Sequence, residues 1–160
     1  YDVILVHDVI EHIAPLRKVD FLLHIKKFTK KDGVIFVAFP AWQMPFGGHQ
    51  QICKSKVCAT LPFMHLLPYS WYKKYLAFFK EKEGCITELL EIKRSKMTIE
   101  HFEEICYENN FKITNRTLWF INPHYQEKFN LLPLRLKLGV DHLPFFRNFF
   151  ATSCFYILQL

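Results

Sequence analysis

No two of the five cysteines (Cys53, Cys58, Cys85, Cys106 and Cys154) are spaced as CxxC. That spacing is the usual mark of zinc ribbons and thioredoxin-type redox sites, and its absence argues against both. Five is also odd, so a full disulfide framework would leave one thiol over. Reduced thiols in a cytoplasmic protein are expected. No run of about 18 apolar residues occurs, so no membrane span is expected. The stretch from Leu143 comes nearest, and Arg147 and Asn148 interrupt it. No internal repeat and no linker marks a second domain. No signal peptide is visible, and no Met precedes Tyr1, which opens inside an apolar segment. The expectation is a piece of a longer protein, cut within a domain.

What is present fits a packed protein. The 160 residues are 51% hydrophobic and 22% charged, ordinary values for one folded domain. Aromatics reach 17%, with 17 Phe. Either phenylalanine fills the core, or an apolar surface is covered by another part of the protein. The net charge of +6 favours anionic or phosphate-bearing partners. The lysines are spread along helical faces (Lys26, Lys27, Lys30, Lys31; Lys73, Lys74; Lys80, Lys82). No stacking-plus-basic motif accompanies them, so solvated helix surfaces are preferred over a nucleic-acid site.

The chain is organised around its first twelve residues, YDVILVHDVIEH. Residues 1–6 read as a buried strand. His7, Asp8, Glu11 and His12 then crowd four ionisable groups into six positions. Residues 15–31 predict a helix with Leu16, Val19, Leu22, Leu23, Ile25 and Phe28 on one face, and Gly33 as its stop signal. VIFVAF at 34–39 predicts a strand buried on both faces. Strand, helix and strand with a short crossover make two parallel strands. Residues 41–68 lack periodicity and contain Gly47-Gly48-His49, the mark of a functional loop. Ser70 is placed as the cap of a helix over 71–82. Residues 85–92 are ambiguous, and Thr98 caps the next helix. Residues 111–121 predict a strand, 122–148 a loop with at most a short helical piece, and 149–160 a last strand antiparallel to its predecessor.

At this point YDVILVHDVIEH, the helix after it, and KKDGVIFVAFP (30–40) resemble a class I S-adenosylmethionine-dependent methyltransferase. That family commonly has an aspartate-led apolar strand, a turn ending in Glu-His, a helix, and a glycine turn into a strand ending in Pro. Here the turn is Lys31-Asp32-Gly33, a mild departure. NNFKI and the terminal FYILQL also agree. The resemblance implies an α/β fold: a partial Rossmann-like methyltransferase sheet, strands four to seven, the last antiparallel, with flanking helices. It divides the chain into a strand–helix–strand unit (1–40), a substrate or lid insertion (41–97), and a C-terminal helix with an antiparallel strand pair (98–160). On that template strands one to three, the glycine-rich cofactor loop and the acidic ribose ligand fall outside the chain. They would need roughly 70 further residues. A chain without them is expected to bind S-adenosyl-L-methionine poorly, to be inactive alone, and to self-associate through an unpaired first strand.

The resemblance also implies roles at the opening turn. His7 and Asp8 would border the methionine end of the cofactor. Asp8, Glu11 and His12 share one face if the turn is helical. The same acidic-x-x-Glu-His spacing holds a divalent metal in some ubiquinone-pathway O-methyltransferases and in small-RNA 2′-O-methyltransferases, the latter with a further His after strand five. That gives Asp8, Glu11, His12 and His49 as ligands of Mg2+ or a similar ion. The competing readings are a capping box made by Asp8 and Glu11, and His49 and His12 acting without metal as a general base and a cofactor-pocket residue. A zinc site of His49, Cys53, Cys58 and His65 is weaker, because its spacings are irregular. Trp42 and Phe46, with Phe63, Trp71 and Tyr72, either line an acceptor pocket or pack the lid. The expected activity is methyl transfer to a small-molecule or oxygen acceptor. The rivals are a nucleic-acid methyltransferase and a non-catalytic scaffold with the same fold.

Overall fold

The computed structural model describes residues 1–137 and 139–160. β1 (Val3–His7) lies parallel to β2 (Val34–Phe39), with Val3 opposite Val34 and His7 opposite Ala38. The crossover is a 3-10 turn at Pro15–Arg17 running into α1 (Lys18–Lys26). Four helices follow: α2 (Lys56–Thr60), α3 (Tyr69–Phe78), α4 (Glu83–Ser95) and α5 (Ile99–Glu108). Then come β3 (Lys112–Ile121), α6 (His124–Phe129), β4 (Leu134–Arg135), α7 (Arg147–Phe150) and β5 (Ser153–Gln159). The five strands form one mixed sheet in the order β1-β2-β5-β3-β4. β5 is antiparallel to both β2 and β3, so β3 runs in the direction of β1 and β2. The fold is of the α/β class.

Side chains alternate across a strand, and the alternation decides which face is packed. Ile4, Val6, Ile35, Val37, Phe39, Cys154, Tyr156 and Leu158 meet Leu22 of α1 and Phe102 and Ile105 of α5 in one cluster. The Phe102 ring centroid lies 5.0 Å from that of Phe39 and 4.7 Å from that of Tyr156. Such aromatic pairs add about 1 kcal/mol each beyond the area they bury. The opposite face is open by comparison. Val3 and Leu5 are 63% and 67% exposed there, and the half-buried Phe155 packs against Phe36 at 5.2 Å and Trp119 at 5.9 Å.

A second cluster (Cys53, Cys58, Tyr72, Leu76, Ile86, Leu89 and Leu90) fills the space among α2, α3 and α4. The ambiguous stretch 85–92 is helical, since Ile86, Leu89 and Leu90 fall at i, i+3 and i+4 and face inward together. This helical segment rejoins the sheet where the Trp42 amide donates to the Met97 carbonyl at 2.9 Å.

Several boundaries differ from expectation. The first helix is shorter than 15–31. Pro15 starts a 3-10 turn instead, leaving Leu16 94% exposed, and the chain turns away after Lys26. Gly33 sits at that turn because a Cβ there would lie 2.9 Å from the Tyr1 carbonyl oxygen. Ser70 caps nothing: α3 begins at Tyr69 behind Pro68. Thr98 caps α5 as expected, its hydroxyl accepting from the His101 amide at 3.1 Å. Residues 147–150 are helical rather than the start of a strand. Arg147 Nε and Asn148 Nδ2 donate to Glu100 at 2.8 and 2.6 Å, and those bonds hold the segment against α5.

Candidate functional site

β1 and β2 run parallel, so their carboxyl ends open on the same side of the sheet, the side where α/β proteins place ligands. β1 ends at His7. Asp8 follows with φ 51°, in the left-handed region, and its amide still donates to Ala38 of β2 at 2.9 Å. Left-handed residues stop a strand. The chain then folds into a turn over residues 9–12, closed by the His12 amide on the Val9 carbonyl at 3.0 Å. This corrects the expected helix start: Asp8, Glu11 and His12 do not share a helical face, and no capping box forms. The Asp8 carboxylate lies 3.0 Å from His7 Nδ1, with both side chains about half exposed.

Glu11 turns inward. It is 4% exposed, and among the described residues neither carboxylate oxygen takes a hydrogen bond from another side chain or backbone. Burial pushes its carboxyl up to about 7. Asp8 adds to the shift, while the residue's own amide and Lys18 oppose it. Lys18, fully buried at the start of α1, donates through Nζ to the Ile10 carbonyl at 2.7 Å and to Ser95 Oγ at 2.6 Å. Ser95 Oγ in turn donates to the Ile13 carbonyl at 3.1 Å. Burial brings the Lys18 ammonium down to about 8. The turn that carries Glu11 and His12 is thus fixed from behind by α1 and by the end of α4.

His49 reaches the same place from the loop after β2, in the left-handed region at φ 56°. Its path depends on the two preceding glycines. A Cβ at Gly48 would lie 2.2 Å from His65 Cβ, and one at Gly47 would lie 2.3 Å from the Trp42 carbonyl oxygen. The rings of His12 and His49 meet edge to face, 4.9 Å between centroids and 73° between planes. Burial and the neighbouring His12 hold His49 below the usual histidine range, against the pull of Asp8. His49 therefore stays neutral, with a lone pair to give. The donor atoms of Glu11, His12 and His49 all lie within 4.8 Å of one another.

Three of the four expected ligands are brought together. Asp8 is outside the group, its carboxylate turned to His7. The zinc reading is corrected as well. His65 is fully buried, and its Nε2 is 2.8 Å from the Trp42 carbonyl oxygen. Cys53 is grouped with Glu81 and Cys85, not with His49 or His65. Trp42 is 7% exposed and packs edge-on against His65, with the Lys93 ammonium 5.7 Å from its ring centroid, so it is core rather than pocket lining. Phe46 is half-buried and accepts from the His49 amide at 3.0 Å, which fixes the loop that carries His49.

Beside His12 opens a groove of about 580 Å³ lined by Ile13, Ala14, Arg17, Asp20, Phe21 and His24. Lys18, Ser95 and Tyr125 are site neighbours that sequence reading missed. Tyr125, on α6, feels the Asp8 charge, which together with burial raises its hydroxyl. The arrangement supplies one buried carboxylate and two imidazoles at a strand end. That set can hold a divalent cation or take up a proton. No protein-family model, no curated protein and no solved structure matches the chain.

Proposed function

We propose that the protein is an S-adenosylmethionine-dependent methyltransferase acting on an oxygen of a small molecule. The observation that carries this reading is the strand order. Two parallel strands are followed by an antiparallel strand inserted before the last long one, β1-β2-β5-β3. The resemblance implies four strands of which the last is antiparallel, and β1, β2, β3 and β5 are consistent with that set. The polar turn at the end of β1 supports it.

Bound at this strand end, S-adenosylmethionine would supply an electrophilic methyl group on a sulfonium. His7 and Asp8, half exposed where β1 stops, would face its methionine end. The acceptor enters along the groove from His12 to His24. His49, neutral and partly shielded, accepts the hydroxyl proton as the acceptor oxygen attacks. In the alternative use of the same lone pair, His49 would ligate a cation instead of taking the proton: the buried Glu11 carboxylate, His12 and His49 would hold Mg2+ or Mn2+, which would lower the pKa of a bound hydroxyl.

The test is calorimetric titration of S-adenosylhomocysteine into the protein expressed from its complete gene, with and without Mg2+ or Mn2+. A saturable heat is expected. No heat under either condition overturns the reading. For the cation, Glu11→Ala should abolish metal dependence, and unchanged, metal-independent activity in wild type and variant alike removes that part.

A further inference from the structure

A second convergence of ligating atoms lies in the insertion, apart from the strand-end site. Cys53 follows a 3-10 turn at Gln50–Ile52, Glu81 sits in the link between α3 and α4, and Cys85 is in the first turn of α4. Their two sulfurs and a carboxylate oxygen all lie within 4.8 Å of one another. We propose that Cys53, Glu81 and Cys85 bind a divalent cation of borderline softness, Zn2+ by the chemistry of the donors, which fastens the loop after β2 to the α3–α4 hairpin.

Two thiolates and one carboxylate are a donor set that suits Zn2+ and disfavours Mg2+ or Ca2+. A tetrahedral ion with Zn–S near 2.3 Å separates two sulfurs by about 3.8 Å. Donors within 4.8 Å of one another reach that spacing by closing at most about 1 Å, a movement of side chains alone. Glu81 is 8% exposed, and its placement is fixed: Oε1 accepts from the Ser55 amide at 2.7 Å and Oε2 from the Lys54 amide at 3.0 Å. Each oxygen keeps a second lone pair, so the amides orient the carboxylate as outer partners of a metal ligand do. Cys85 is half-buried, which gives the ion and a completing water a way in.

Loading displaces two thiol protons to solvent as two Zn–S bonds form. The cluster to which Cys53 belongs has only seven buried members among the described residues, the other six spread over three helices. A small core of that kind gains most from a metal cross-link.

The test is titration of the reduced, chelator-treated protein with Co2+ and then Zn2+. A sulfur-to-cobalt charge-transfer band saturating at one equivalent is expected, with Zn2+ displacing it and raising the thermal midpoint. Cys85→Ser, the least buried of the ligands, should lose the band and weaken Zn2+ binding at least about 100-fold. Cys106→Ser, a buried thiol elsewhere, and Glu11→Gln, in the strand-end site, should both keep it. A band that survives Cys85→Ser, or no band in reduced wild-type protein, overturns the proposal. Circular dichroism of each variant shows that loss of the band is not loss of fold.

Discussion

The Lys18 ammonium donates to the Ser95 hydroxyl at 2.6 Å, joining the first helix of the sheet layer to the last residue of α4. Its other bond, to the Ile10 carbonyl, holds the turn that presents Glu11 and His12. Replacing it by methionine keeps most of the stem and leaves that carbonyl with only the longer bond from the Ile13 amide, at 3.3 Å. Lys18→Met should therefore lower stability by about 1–3 kcal/mol in urea unfolding, the cost of an unmade buried bond. Ser95→Ala should cost about 1 kcal/mol, since Lys18 keeps the Ile10 carbonyl.

Glu11 is a site residue held at the expense of stability. Its carboxyl is raised from 4.5 to about 7 in the folded protein. Between those values the folded state keeps a proton that the unfolded chain has lost. The stabilisation is whole below 4.5 and is lost as pH rises through 7, an effect on the order of 3 kcal/mol. Glu11→Gln should flatten that slope and make the metal-free protein more stable at pH 8. Unfolding in urea across a pH series checks it. Mn2+ should raise the thermal midpoint of the wild type and leave the variant unmoved.

His65 gives the opposite slope. It is fully buried against Trp42, and burial brings it down to about 4. The unfolded chain takes up a proton near 6.5 that the folded state refuses until about 4. Stability from this group is present above 6.5 and is lost as pH falls toward 4, on the order of 3 kcal/mol. His65→Gln should remove this acid slope while lowering stability at pH 7 through the lost packing on Gly48 and Trp42. Comparing midpoints at pH 7 and pH 4.5 separates the two effects.

Among the described residues β1 pairs with β2 alone, so its outer edge carries unpaired amides and carbonyls beside the exposed Tyr1, Val3 and Leu5. Exposed apolar edges recruit other strands. The 160-residue chain should self-associate with increasing concentration in light scattering. Val3→Lys with Leu5→Lys should return it to monomer, and a wild-type chain that stays monomeric at high concentration would sink this expectation.

The long strands and their directions were legible because their signals are local. VIFVAF at 34–39 is an apolar run whose bounds match β2, and the weak alternation at 111–121 marks β3 to within one residue. Thr98 was legible as a cap because its bond to the His101 amide spans four consecutive residues and nothing distant. The failures have distant causes. The helical state of 147–150 depends on Glu100, almost fifty residues away. The burial of Lys18 depends on Ser95, and no periodicity separates a buried lysine from a solvated one. At the site, the grouping of Glu11, His12 and His49 was anticipated. Asp8 was misplaced because its left-handed backbone turns it toward His7. The Cys53–Glu81–Cys85 convergence could not be read, because its members come from a loop and a helical hairpin that meet only in the folded chain.

β5, the last strand in the chain, occupies the middle of the sheet between β2 and β3. During synthesis the sheet therefore has a gap at its centre until residues 153–159 emerge. Until then β2 and β3 each present an open flank, and closing β2 on β5 spans more than a hundred residues. Contacts of that separation slow folding and lengthen the exposure of unpaired strands. A nascent chain that stops before residue 153 should depend on chaperones, and deleting residues 153–159 should cost the whole fold rather than one edge of it.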